Sequence, residues 1–318
     1  MDAAAVRAAA GRIAGRVHRT PVVTSATLDG RTGAQVVVKA EALQKTGSFK
    51  VRGALNRLLT LPEEARDRGL IAISAGNHAA ALAWAAAQVG AKATVVMPKA
   101  ATAAKVAACE GYGAEVVLHG DTTVEAFAEC ERLRDERGLT FVHPFDDPEI
   151  VAGQGTAALE LVEDAGPLDV WIVPVGGGGL TCGTALAVRA ANPACRVIAV
   201  EPETAATLTT ALAAGKPVPI TPRSVADGLC APFAGPLTFP LFRELVDQVV
   251  TVSERDLVAT VRFVMERMKL VVEPAGAAGI AALLTAKTGD LTGARVGTIL
   301  SGGNLDIAKI ATLPDWSD

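Results

Sequence analysis

Short apolar runs without a polar face recur along this chain, each set off by helix-compatible stretches. That alternation restricts the fold more than any other feature. Residues 36–39, 70–73, 93–97, 115–119, 169–175, 196–201 and 295–300 read as strands. Residues 51–61, 77–89, 102–111, 122–137 and 180–191 read as helices, with Pro62, Gly90 and Pro98 closing elements. Strands that are apolar on both faces need cover on both sides, which a parallel sheet between helix layers supplies. The expectation is an α/β protein with mostly parallel sheets. Such sheets place ligands beyond the carboxyl ends of their strands. The loops after residues 73, 175 and 300 are therefore where chemistry is expected.

The length of 318 residues allows one large or two medium domains. Breaks in pattern fall at Pro144-Phe145-Asp146-Asp147-Pro148 and in the proline-rich stretch 217–240, which carries too little periodicity for a sheet element. Half of the residues are hydrophobic and 20% are charged, so a disordered chain is excluded. The net charge of −4, without a basic block, argues against nucleic-acid and acidic-membrane partners. Five scattered cysteines lack CxxC spacing and suit a reducing compartment better than a disulfide frame or a zinc site. The alanine-rich N-terminus reads as a first helix, not a signal peptide, and no apolar run reaches membrane-spanning length. A soluble, cytoplasmic protein is expected.

Four segments carry candidate chemistry. Lys50, in Lys45-Thr46-Gly47-Ser48-Phe49-Lys50, stands between a Gly-Ser turn and a helix. Held away from water, such a lysine loses pKa and can attack an aldehyde; left solvated, it is an ordinary cation. Gly176 to Gly179 join a strand to a helix. They suit a phosphate at the helix start, although neither the Walker nor the GxGxxG pattern fits and a bare turn is the alternative. Ser74-Ala75-Gly76-Asn77-His78 sits at another strand-to-helix junction, where it can grip a carboxylate or simply cap the helix. Ser301-Gly302-Gly303-Asn304 ends the last strand and offers one hydroxyl to a ring nitrogen, or only a turn.

Together with Val272-Glu273-Pro274-Ala275-Gly276-Ala277, these segments resemble the serine/threonine dehydratases and serine racemases, pyridoxal-phosphate enzymes of fold type II. The resemblance runs in order from Arg19-Thr20-Pro21 to Asn304. It implies a fold like that of the tryptophan synthase β chain: two three-layer αβα domains, each with a parallel sheet, and the cofactor in the cleft between them. The implied division is a large cofactor-binding domain from residues 1–48 and 149–318 and a small mobile domain from 49–148, with no regulatory domain after it. Lys50 would carry pyridoxal phosphate as a Schiff base and serve as the catalytic base. Gly176, Gly177, Gly178 and Gly179 would bind its phosphate, Asn77 its 3-hydroxyl and Ser301 its pyridine nitrogen. Phe49 and Gly228 would flank the ring, while Ser74, Asn77 and His78 would hold the substrate carboxylate. The implied partners are a small hydroxy-amino-acid substrate and further copies of the chain, as a dimer or tetramer.

Two departures select among branches of that family. Racemases of the family place a second acid/base serine immediately before the Gly-Asn-His, where this chain has Ala75. Metal-dependent members use a glutamate, a carbonyl and an aspartate; here Glu201 and Ala205 are followed by Thr207, so no metal is expected. The expected activity is elimination from L-threonine or L-serine to a 2-oxo acid and ammonia. A racemase or a threo-3-hydroxyaspartate dehydratase is the alternative, with β-replacement and non-catalytic cofactor binding further away.

Overall fold

A computed structural model describes residues 1–306. The strands are β1 (Val22–Val23), β2 (Gln35–Lys39), β3 (Leu70–Ile73), β4 (Ala93–Met97) and β5 (Glu115–Leu118), then β6 (Thr140–Phe141), β7 (Val170–Pro174), β8 (Arg196–Pro202), β9 (Gln248–Val252) and β10 (Arg295–Ile299). They form two sheets. One has six strands in the order β1-β2-β10-β7-β8-β9, parallel throughout except for β1 against β2. The other has four parallel strands in the order β5-β4-β3-β6 and is built wholly from residues between 70 and 141.

The first helices are α1 (Ala3–Ile13), α2 (Ala26–Thr32), α3 (Lys50–Thr60), α4 (Glu63–Asp67), α5 (Asn77–Gln88), α6 (Ala103–Gly111) and α7 (Thr123–Arg137). The remainder are α8 (Pro148–Ala165), α9 (Gly179–Ala191), α10 (Thr207–Ala214), α11 (Thr238–Leu245), α12 (Glu254–Phe263) and α13 (Pro274–Leu284). Every residue of β4 and β7 is buried, as strands covered on both faces must be. Leu28, Val38, Ile172, Val200 and Ile280 belong to the core around the six-stranded sheet. Leu55, Leu82, Val95 and Met97 belong to that around the four-stranded one. Each such side chain contributes about 1.5–3 kcal/mol by leaving water.

The expected elements agree with these to within one or two residues, and α1 is the first helix expected. Several elements went unread: the short strands β1 and β6, strand β9, and helices α2, α4, α8, α10, α11, α12 and α13. Strand β9 is mostly half-buried at a sheet edge, so it lacks the two-sided apolar pattern that marks its neighbours. Within the proline-rich stretch, a 3₁₀ turn covers Asp227–Leu229 and α11 begins at Thr238. Among the described residues, no helix is long and apolar enough to cross a membrane.

Helix α3 packs against α5 on one side and α8 on the other, so it lies where the two sheet units meet. Its first residue is Lys50. Phe49 N–H donates to Ser301 O (3.1 Å), Gly303 N–H donates to Gly47 O (2.8 Å), and Ser48 forms an isolated bridge with Gly302. The loop before Lys50 is thereby pinned to the loop after β10.

Candidate active site

A cleft of about 460 Å³ opens beyond the carboxyl ends of β3, β7 and β10. Every sequence-predicted site residue lines it: Phe49, Lys50, Ser74, Asn77, His78, Gly176 to Gly179, Gly228 and Ser301. They come from sequence positions more than two hundred residues apart, and the two sheets bring them together.

Lys50 Nζ donates to the carbonyl of Pro144 at 2.9 Å and lies 5.3 Å from the centroid of the Phe49 ring. Desolvation pushes its pKa down to about 8, against an opposing pull from the Glu273 carboxylate. A lysine in that state reaches its neutral, nucleophilic form near physiological pH.

The glycine loop leads into α9. The N–H groups in the first turn of a helix have no intrahelical acceptor, and the dipole there favours an anion. The first bond of the helix runs from Cys182 N–H to Gly178 O (2.9 Å), which leaves the N–H groups before it facing the cleft end of the helix. Gly178 has φ of +106°, and a Cβ built on it would lie 2.4 Å from the Phe242 ring. Only glycine fits there. The loop is braced from outside by Thr238, whose hydroxyl donates to Gly177 O at 2.8 Å. Asp146 Oδ1 in turn accepts from the main-chain N–H groups of Leu237 and Thr238, both at 3.0 Å.

We expect Gly178→Ala to weaken pyridoxal-phosphate binding about tenfold or more, because strain of 1–3 kcal/mol joins a steric clash at the phosphate turn. Titration of the cofactor-free chain, followed by tryptophan fluorescence, measures this; unchanged affinity would remove the loop from the phosphate site.

At the start of α5, Ser74 Oγ accepts from Gly76 N–H at 3.1 Å. Asn77 Nδ2 donates to Glu273 Oε1 at 2.6 Å, and Asn77 Oδ1 accepts from Asn304 Nδ2 at 2.8 Å. The ring of His78 has a partner of its own. Its ring is buried with Nε2 3.0 Å from Val142 O, and desolvation, together with the Lys50 charge, lowers its pKa to about 3. The imidazole is therefore neutral and spends its N–H on the Val142 carbonyl. What His78 retains for a carboxylate is its main-chain N–H in the first turn of α5.

Glu201 is buried and accepts from Leu208 N–H (2.5 Å), Thr209 N–H (2.9 Å) and the Thr209 hydroxyl (2.8 Å), at the start of α10. Thr207 gives its hydroxyl to Ala231 O at 2.8 Å. This carboxylate thus caps a helix from the end of β8.

Sequence reasoning assigned no role to several residues of the cleft. Glu273 and Asn304 stood in the recognised segments, but nothing in their spacing reveals that both reach Asn77. Lys105 Nζ pairs with Asp227 Oδ2 at 2.9 Å, from α6 to the turn that carries Gly228. Both line the cleft, and their residue types gave no signal beyond that of surface charges.

The residues present fit pyridoxal phosphate. An open helix start behind a glycine turn suits a phosphate, a lysine of lowered pKa suits an aldehyde, and the nearly buried hydroxyl of Ser301 suits a ring nitrogen without adding charge. An L-threo-3-hydroxyaspartate ammonia-lyase of a Pseudomonas species is 48% identical over 306 residues, which cover 96% of this chain and 96% of that one. An L-threonine ammonia-lyase of Thermotoga maritima is 42% identical over 295 residues, 92% of this chain and 73% of that one. Among solved structures, maize serine racemase superposes with a TM-score of 0.92 at 38% identity, covering 98% of this chain and 96% of that one. Residues 13–302 match the family described as pyridoxal-phosphate dependent enzymes. A match of that extent, on a cleft shaped for a phosphorylated aldehyde, makes this chain a member of the pyridoxal-phosphate-dependent enzyme family.

Proposed function

We propose that this chain removes water and ammonia from a small L-hydroxy-amino acid, threonine or serine, leaving a 2-oxo acid. The observation that carries the reading is the one-sided proton machinery of the cleft. Lys50 offers an amine of pKa about 8, whereas Ala75, at the start of the opposing α5 loop, has no proton to move. Bound pyridoxal phosphate supplies an electron sink for the Cα–H bond.

The chain's own residues do the rest. Ser74 and the first-turn N–H groups of α5 hold the substrate carboxylate and so fix which face of Cα meets Lys50. Lys50 Nζ, displaced by the substrate amine, takes the Cα proton as general base. The β-carbon–oxygen bond breaks, and the hydroxyl leaves as water with the proton that Lys50 has taken from Cα. The enamine released into solvent takes up water and ends as 2-oxo acid and ammonia. Ser301 would offer the ring nitrogen a neutral partner. Reprotonation of Cα from the far face would need a donor where Ala75 stands, which favours elimination over racemisation.

A second substrate has specific support. The relative at 48% identity is named for L-threo-3-hydroxyaspartate. Lys105 is a cleft-lining cation that a second carboxylate could take over from Asp227. The test is a panel of L-threonine, L-serine and L-threo-3-hydroxyaspartate, scored for 2-oxo acid, ammonia and chirality of the remaining amino acid. We expect 2-oxo acid from at least one of them without a build-up of D-enantiomer. Faster accumulation of the D-form than of 2-oxo acid would overturn the reading.

Three further assignments belong to it. The unit around the four-stranded sheet, residues 49–148, closes over the cleft when substrate binds. The chain works as a homo-oligomer. Its five cysteines, all unpaired, suit the reducing cytoplasm.

A further inference from the structure

Glu273 is a buried carboxylate that the elimination chemistry does not use. It ends the segment before α13, is 6% exposed and forms part of the cleft wall. A Cβ built on Gly302 would lie 2.2 Å from its Oε1, so the carboxylate is packed directly against the backbone of the loop after β10. Its bond to Asn77 Nδ2 is short, at 2.6 Å, as charge-assisted bonds are.

The partners of Asn77 fix which way its amide faces. Nδ2 meets the carboxylate, which only accepts, and Oδ1 meets Asn304 Nδ2, which only donates. Asn304 Nδ2 also donates to the carbonyl of Thr46 (2.7 Å), four residues before Lys50. The line Glu273–Asn77–Asn304–Thr46 thus ties the loop after β10 to α5 and to the loop before Lys50. An amide turned the other way would set two oxygens against each other at Glu273 and two NH₂ groups against each other at Asn304.

We propose that Glu273 is a positioning residue: its carboxylate fixes the amide of Asn77 so that the second N–H of Nδ2 is presented to the cofactor oxygen in the cleft. Because this rests on family membership and not on the reaction proposed above, a substrate-free binding measurement tests it separately.

The charge state of Glu273 follows from the groups around it. Desolvation and the nearby Asp227 raise its pKa to about 7, while the Asn77 amide, Lys105 and Lys50 oppose the shift. Below that value the protonated carboxyl remains a hydrogen-bond acceptor through one oxygen but loses the charge that shortens the bond. The grip on Asn77 therefore weakens as pH falls through about 7.

The experiment titrates pyridoxal phosphate into the full cofactor-free chain bearing Glu273→Ala, Asn77→Ala, both together, or Glu273→Gln. Binding is followed by fluorescence and by the visible absorbance of the lysine-bound cofactor, and thermal unfolding of each cofactor-free variant checks the fold. We expect Glu273→Ala to weaken binding about tenfold in the parent chain and less than about twofold when Asn77 is already alanine, since a residue acting through Asn77 has nothing left to act on. Glu273→Gln, uncharged at every pH, should bind at pH 8 about as weakly as the parent would with Glu273 protonated, and should keep only the shallower pH dependence that Lys50 imposes. Parent-like affinity in Glu273→Ala, or effects of the two alanine changes that multiply, would overturn the proposal. If Glu273→Ala fails to fold, Glu273→Gln decides alone: a parent-like pH dependence sinks the idea.

Discussion

Replacing Lys50 with alanine is expected to remove the visible absorbance of covalently held pyridoxal phosphate and to lower product formation by at least about a thousandfold. The size follows from two losses at one atom. In the reaction proposed above, Nζ both anchors the cofactor and acts as the base at Cα, a role worth about 10²–10⁴ in rate by itself. The phosphate contacts proposed for the glycine turn do not depend on Lys50, so the variant should still bind the cofactor reversibly, with the spectrum of the free aldehyde. The parent chain adds a pH signature. With a Lys50 pKa of about 8, the neutral fraction of the amine rises about tenfold from pH 7 to pH 9. Capture of the cofactor by the stripped chain should accelerate accordingly and then level off. Rapid-mixing absorbance measures this. A Lys50→Ala protein that retains the lysine-bound spectrum would end the assignment.

The second large effect concerns stability and lies two residues further on. Arg52 is fully buried and donates to both oxygens of Glu41 and both oxygens of Glu160, each at 2.8 Å. Thr156 Oγ1 and His18 O accept further bonds at 3.2 Å. Lys39 Nζ completes the cluster with Thr20 O at 2.6 Å and Glu160 Oε2 at 2.8 Å, and the Thr20 hydroxyl donates to Glu41. Two cations and two anions balance in a largely buried space, open to solvent only at Glu160, and they join β2, α3 and α8.

Arg52→Leu leaves Glu41 buried without its partner, which costs about 3–5 kcal/mol. We expect the unfolding temperature to drop by on the order of 10 °C. As a control, Arg132→Leu removes pairs with Glu129 and Glu136 on the exposed side of α7, each worth about 0–1 kcal/mol, and should barely move it.

The pH dependence has a definite sign. Burial alone would raise the Glu41 pKa, but Arg52 prevails and holds the carboxyl below its usual range. A carboxylate with a lowered folded-state pKa stabilises the protein above its unfolded value and loses that contribution as pH falls through the folded one. In Arg52→Leu the unpaired Glu41 is pushed upward instead. The gap between parent and variant should therefore be widest at neutral pH and narrow toward pH 4. Calorimetry at pH 7 and pH 4 checks both points; a gap under about 2 °C at pH 7, or one that widens in acid, would contradict the account.

The sheet strands were legible because strands covered on both faces leave a local mark: runs such as Ala93–Met97, with proline or glycine close behind. Strands β1 and β6 escaped because two residues carry no pattern, and β9 escaped although β5, also a sheet edge, was read. Lys50, the glycine turn and Ser301 were legible for a related reason, since each sits at a junction where residue type itself limits what the backbone can do. Arg52 and Glu41 gave no such signal. Charged residues in sequence look solvated, and only the closure of α3 between α5 and α8 puts these two where water cannot reach.

The sequence by itself determined the parallel α/β architecture, the lysine, the glycine turn at a helix start and the absence of a proton donor at Ala75. These depend on local backbone geometry and on which atoms a side chain carries. The tertiary structure alone decided that Glu273, Asn77, Asn304 and Thr46 form one line, that the His78 ring belongs to Val142, and that Lys50 loses its solvation. Those facts depend on distances between segments up to 258 residues apart, and such distances exist only after two sheets have closed around one cleft.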